Sequence, residues 1–125
     1  MNYPSDRQRK SFVILTPNYV EAIDLAEALA FDGPSEALHV PTAAELVAKL
    51  ANADFRPDGA ILAGAFAEPH LDACILQLKA RGARLVFVDG RDEYARELGA
   101  LQLRRPYGAE DLGPVLAALG GQPPC

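Results

Sequence analysis

The chain has 125 residues, half of them apolar and 23% charged, with a formal net charge of −5. That length suits one domain with one core, and the acidic balance excludes the clustered Lys and Arg of a nucleic-acid-binding face. No apolar run approaches the ~20 residues that span a bilayer, no N-terminal stretch is laid out as a secretory signal, and Cys74 and Cys125 make no disulfide framework.

These bounds lead to the expectation of a cytoplasmic protein with neither membrane nor nucleic acid as partner. Residues 1–10 are polar, contain Pro4 and carry the one basic cluster, Arg7, Arg9 and Lys10; they read as a flexible leader. Ser11–Leu15 reads as the first strand. Its continuous apolar stretch, Phe12 to Leu15, suits a strand covered by helices on both faces. A helix over roughly 19–31 follows, marked by Val20, Ile23 and Ala30, and Gly33 stops it. The second strand is Ala37–Val40. Thr42 with Glu45 three residues on is a capping signature, and Ala43, Leu46, Val47 and Leu50 give the helix behind it one apolar side.

Gly59–Ala63 is the third strand. Leu71, Cys74, Ile75 and Leu78 step i, i+3, i+4, i+7 along the next helix, which ends near Gly82. Arg84–Val88 is again a nearly continuous apolar run. A short helix over 91–98, with Tyr94 and Leu98 on its apolar side, stops at Gly99. Leu101–Arg104 is the last strand. Leu112, Val115, Leu116 and Leu119 define the last helix, with Glu110 and Asp111 in its first turn, and residues 120–125 read as a flexible tail. Five strands alternating with five helices imply parallel strands joined by helical crossovers. At this length they fit a flavodoxin-like α/β sandwich, a five-stranded parallel sheet in the order 2-1-3-4-5, over residues 11–119.

In such a sheet, ligands gather beyond the carboxyl ends of the strands. Those ends carry Thr16, Pro17 and Asn18 after strand 1, Ala63 and Gly64 after strand 3, Asp89 and Gly90 after strand 4, and Arg105 and Pro106 after strand 5. Two segments, PDGAILA (Pro57 to Ala63) and GALQLRRPY (Gly99 to Tyr107), in this order and spacing, are similar to the "PDLVLLD" and "GADDYLVKPF" segments of another fold family. On them the chain resembles the receiver domain of two-component response regulators over about residues 11–119.

The resemblance implies a site that this sequence has largely replaced. Where the family ends strand 1 with two acids that hold Mg²⁺, this chain has Thr16 and Pro17. The phosphoacceptor aspartate falls on Ala63. The Thr or Ser after strand 4 falls on Asp89, the lysine before the last-loop proline on Arg105, and the switch aromatic on Gln102. Pro106 and Tyr107 stand as the family has them, and by resemblance the Arg105–Pro106 bond is expected cis. Mg²⁺ needs hard oxygen ligands, and phosphoryl transfer needs a nucleophile and charge neutralisation; Thr16, Pro17 and Ala63 supply neither. The implication is a pseudo-receiver that is not phosphorylated at this site, holds no metal or other cofactor there and is not an enzyme.

Asp89 admits two readings. It pairs with Arg105, whose planar fork suits a carboxylate, or it caps the short helix that follows. His39 and His70 have no Cys or His at metal-ligand spacing and read as surface or satisfied histidines. Ser11 and Ser35 lie in no nucleophile-elbow context. Cys74 reads as core. Glu21 and Asp24, early in the first helix, suit the macrodipole.

Three functions remain in play. The first is a phosphorylation-independent signalling or adaptor protein. With no output domain expected after residue 119, it acts by docking to a protein: a histidine kinase, another regulator or itself. In the family, the face of helix 4, strand 5 and helix 5 makes such contacts and dimers; here it carries Arg91, Arg96, Gln102, Arg104 and Tyr107. That mixed-charge cluster is equally an ordinary solvated face. The second is a small-molecule or nucleotide-binding flavodoxin-like domain. The third is an enzyme using Asp89 as general acid or base.

Overall fold

A computed structural model describes residues 10–31, 34–63 and 70–119. The leader segment 1–9, the tail 120–125, Gly33 and Gly64 lie outside the described residues. Strand β1 (Lys10–Leu15) leads through α1 (Tyr19–Phe31) to β2 (Ser35–Val40). Next come α2 (Ala43–Leu50), β3 (Gly59–Ala63), α3 (Leu71–Ala80) and β4 (Arg84–Val88). The chain then passes through α4 (Asp92–Leu98) and β5 (Leu101–Leu103) into α5 (Ala109–Leu119). All pairings are parallel, and the order is β2-β1-β3-β4-β5. This is the flavodoxin-like architecture that the alternation of elements implies.

Alternation along the strands divides the core in two. Phe12, Ile14, Ile61, Ala63, Val86 and Val88 face α1 and α5, meeting Leu25, Leu29, Leu116 and Leu119. Val13, Leu15, Ala60, Leu62, Leu85 and Phe87 face the other way, onto α2, α3 and α4. Successive strand residues point to opposite faces, so a continuous apolar run is what a doubly covered strand requires. Cys74 is buried in the second cluster. At the foot of β3, a Cβ on Gly59 would run into Leu119 of α5 and Phe12 of β1, so glycine lets the last helix lie close on the sheet.

Helix boundaries follow local chemistry. Thr42 Oγ1 accepts from Glu45 N at 3.2 Å and starts α2. Gly99, at φ 70°, ends α4 in the left-handed region where glycine carries no Cβ penalty. Three strand boundaries differ from the sequence reading. β1 begins at Lys10, whose N–H donates to Pro34 O at 3.2 Å. β2 begins two residues early, at Ser35, because an edge strand there is half solvated and has no apolar signature. β5 stops at Leu103, where Arg104 turns to Asp92.

Candidate functional site

The rim at the carboxyl ends of the strands is a joined polar network. It begins at Thr16, which is fully buried just past β1. Thr16 Oγ1 donates to Glu21 Oε1 at 2.9 Å and accepts from Asn18 N at 3.1 Å. Asn18 is the start of α1: its Oδ1 accepts from Val20 N at 3.0 Å and from Glu21 N at 3.2 Å. The capped turn directs Glu21 inward, and only 8% of that residue is exposed. His39 Nε2 lies 2.8 Å from Thr16 O, so this histidine is satisfied by backbone.

Glu21 meets Arg105 through a two-point contact. Arg105 Nη2 donates to Glu21 Oε1 at 2.7 Å and Nε donates to Oε2 at 3.0 Å. Tyr107 Oη adds a 2.7 Å hydrogen bond to Oε2. The guanidinium also donates through Nη1 to Asp89 Oδ2 at 3.1 Å, and Arg105 N donates to Asp89 Oδ1 at 3.1 Å. One cation therefore sits between two carboxylates, with 39% of its side chain exposed. The Arg105–Pro106 bond is cis. Asp89 has φ 59°, the one described non-glycine residue in the left-handed region, where a short polar side chain is tolerated better than most.

The titration properties follow from this packing. Burial pushes the Glu21 carboxyl up, but hydrogen bonds from Arg105, Tyr107 and Thr16 together outweigh burial and hold it below its ordinary value. The Arg105 guanidinium is raised, first by its hydrogen bonds to Glu21. Burial, reinforced by the Glu21 carboxylate, raises the Tyr107 phenol far above its usual range. At neutral pH Glu21 is thus a carboxylate, Arg105 a guanidinium cation and Tyr107 a neutral phenol.

The sequence-derived residues do not all meet. Thr16, Asn18, Asp89, Arg105 and Tyr107 belong to the network, directly or through its turn. Pro17 is exposed beside it, and Ala63 is fully buried as the last residue of β3, facing the α1–α5 side. Of the two readings of Asp89, pairing with Arg105 is the one found. Arg91 occupies the N-cap of α4 and makes no side-chain cap, so Asp89 does not cap that helix. The group of Arg91, Arg96, Gln102, Arg104 and Tyr107 is not one free face. Gln102 Oε1 accepts from Gly90 N at 3.0 Å, and Nε2 donates to Gly90 O at 3.1 Å and to Asp92 Oδ1 at 2.9 Å. Arg104 pairs with Asp92 at 2.7 Å. Tyr107 turns to Glu21, which leaves Arg91 and Arg96 exposed on α4.

Glu21 is the residue that sequence reasoning missed, because an acid in a first helical turn is well explained by the macrodipole. The signal was its register: positions 21, 25 and 29 share one stripe, and Leu25 and Leu29 are core. An acid on a buried stripe needs a partner. The donor set does not suit Mg²⁺. Thr16, Pro17 and Ala63 offer no carboxylate, and those of Glu21 and Asp89 are engaged by Arg105. Among the described residues no three His, Cys, Asp or Glu side chains gather as a metal cradle.

Comparison with known proteins places the fold. No protein-family model matches the chain, and no curated protein matches it. Solved structures do. A response regulator receiver protein from Burkholderia phymatum superposes with TM-score 0.74 at 20% identity, over 90% of this chain and 95% of that one. A second response regulator receiver protein, from Sinorhizobium medicae, gives 0.70 at 12% identity, over 91% and 96%. An adenylate cyclase structure from Rhodopirellula baltica gives 0.69 at 15% identity, over 91% and 89%. The likeness is one of fold: this chain has the architecture of response-regulator receiver domains.

Proposed function

We propose that this chain is a phosphorylation-independent, receiver-like signalling or adaptor protein that works through protein contacts in a two-component-type pathway. The observation that carries this reading is the arginine clasp at the rim. A receiver's reaction needs carboxylates for the metal and one aspartate to attack phosphorus. Here the corresponding places hold Thr16, Pro17 and Ala63, while the carboxylates of Glu21 and Asp89 at the same rim are both engaged by the Arg105 guanidinium. An incoming phosphoryl group would meet two carboxylates and an arginine already neutralised by them.

The contact mode is supported by α1. Its solvent side exposes Tyr19, Val20, Ile23 and Phe31, with 90% of Phe31 exposed, alongside Asp24 and Glu27 and no cation. A shallow open groove of ≈ 540 Å³ runs from Val20 and Asp24 to Arg105, Pro106 and Tyr107. Several large apolar side chains exposed on one helix beside a groove support a protein-interaction role. Two acidic copies of this face repel each other, so the surface suits a different protein whose apolar side chains are flanked by Lys or Arg.

Binding of a nucleotide or flavin phosphate at the β1 end is disfavoured by the turn itself. Pro17 has no N–H, and the N–H groups of Asn18, Val20 and Glu21 are taken by Thr16 Oγ1 and Asn18 Oδ1.

The test is incubation with acetyl phosphate and Mg²⁺, followed by intact-mass measurement. The expected spectrum shows no phosphoryl adduct. Gain of one phosphoryl group overturns the reading.

A further inference from the structure

We infer that Glu21 and Gln102 act as two ends of one lock, which holds the β4–α4 loop, and with it the exposed α4 surface, in a single position. The inference rests on the adaptor reading above and deepens it by naming how the loop and helix beside the rim are controlled: by being kept from moving.

The lock can be followed bond by bond. Residues 89, 90 and 92 are each stitched by hydrogen bonds to the segment 102–105. Asp89 N donates to Leu103 O at 2.8 Å. The Gln102 carboxamide closes a two-way pair with the Gly90 backbone, donating to its carbonyl and accepting from its N–H. Gln102 Nε2 and Arg104 Nη2 both donate to Asp92 Oδ1, at 2.9 and 2.7 Å, and fix the first turn of α4. At the other end Arg105 N and Nη1 hold both oxygens of Asp89. Arg105 is itself fixed by Glu21, which Thr16 and Tyr107 brace from either side.

The geometry gives Glu21 its leverage. Asp89 has left-handed backbone, a conformation that persists only where its surroundings hold it. Its N–H is held by Leu103 O and its carboxylate by Arg105, and Arg105 is oriented by Glu21. A neutral side chain at position 21 frees the guanidinium, loosens Asp89, and thereby loosens Gly90 at the far end of the stitch. Gln102 is placed to do the complementary work: a carboxamide that bonds both the N–H and the C=O of one residue, and so both peptide groups flanking its Cα, leaves that residue no second arrangement of equal quality.

Amide hydrogen exchange on the full chain tests this, with the Gly90 N–H as reporter and the Ile61 N–H, in the middle of β3, as the measure of global opening. Gln102→Ala removes the direct bond and should speed Gly90 exchange. The decisive variant is Glu21→Gln, which does not contact Gly90. It should speed Gly90 exchange about tenfold beyond any change at Ile61, by local opening, and the double variant should add less than the sum of the two. Glu21→Asp, which restores the charge, should recover part of the protection.

If Glu21→Gln leaves Gly90 unchanged relative to Ile61, the two ends are independent and the lock is wrong. Strictly additive effects in the double variant overturn it equally. Phosphoryl uptake is a separate readout: a chain that gains a phosphoryl group sinks the adaptor reading alone, and one that gains none but shows an uncoupled loop sinks the lock alone.

Discussion

Two arginines, Arg81 and Arg105, organise opposite parts of this molecule, and they do so in different chemical currencies. Arg81 follows α3 and reaches to the end of α2. Its guanidinium donates to Leu50 O at 2.7 Å, Phe55 O at 2.8 Å and Asn52 O at 3.1 Å. These are carbonyls that the terminus of α2 and its turn leave without intrahelical partners. Arg105 donates instead to two carboxylates at the functional edge of the sheet. One arginine closes a corner with neutral acceptors. The other neutralises two acids at the carboxyl-end rim of the sheet. Only the second should make stability depend on protonation.

The largest effect should come from Glu21→Ala. It leaves Arg105 with Asp89 alone and Tyr107 and Thr16 without an acceptor. Breaking a buried pair costs about 3–5 kcal/mol, and water access to Arg105 brings the expectation to the lower end, about 3 kcal/mol by denaturant unfolding. Arg81→Ala should cost less, about 2 kcal/mol, since hydrogen bonds from a charged group are worth ~1.5–3 kcal/mol each and the exposed carbonyls find water. A larger loss for Arg81→Ala than for Glu21→Ala would reverse the ranking of the two regions.

Acid titration sharpens the contrast. The folded Glu21 carboxyl lies below its unfolded value. A group shifted in that direction contributes stability that is complete above the unfolded value, near 4.3, and is lost as pH falls through the folded value. The wild type and Arg81→Ala should both lose stability on acidification through that window. Glu21→Gln should lose less over the same interval, its contribution already being gone at neutral pH. Equal acid slopes in all three chains would show that Arg105 is held by something other than the Glu21 charge. The smallest effect should be that of Arg104→Ala. Its pair with Asp92 is solvent-exposed on both sides, and such pairs contribute little; the melting midpoint should stay within error of the wild type.

The fold was legible because its signals are redundant. Phe12 to Leu15 and Leu85 to Val88 are continuous apolar runs that only a doubly covered strand explains, and Thr42 with Glu45 and Gly99 punctuate helices by known backbone chemistry. Ser35 and Glu36 carried no such signal, since one edge of β2 faces solvent. At the rim, the strand ends pointed to Thr16, Asp89 and Arg105, because topology alone carries those positions to one edge. It did not point to Glu21, which arrives from a helix, or to the inward turn of Gln102. The stripe of positions 21, 25 and 29 marks the acid as buried, but which partner each side chain meets depends on where a neighbouring element ends, and sequence spacing does not encode that.

The hydroxyl of Tyr107, bound to Glu21, gives the molecule its own optical gauge. The chain has four tyrosines and no tryptophan, so its near-ultraviolet spectrum on alkaline titration reports phenolate formation free of indole background. Among the described tyrosines Tyr107 is the phenol pushed furthest above the usual value near 10, and its absorbance step should come late in wild type and earlier in Glu21→Gln. Arginine capture at the rim can therefore be followed by colour alone, without a label.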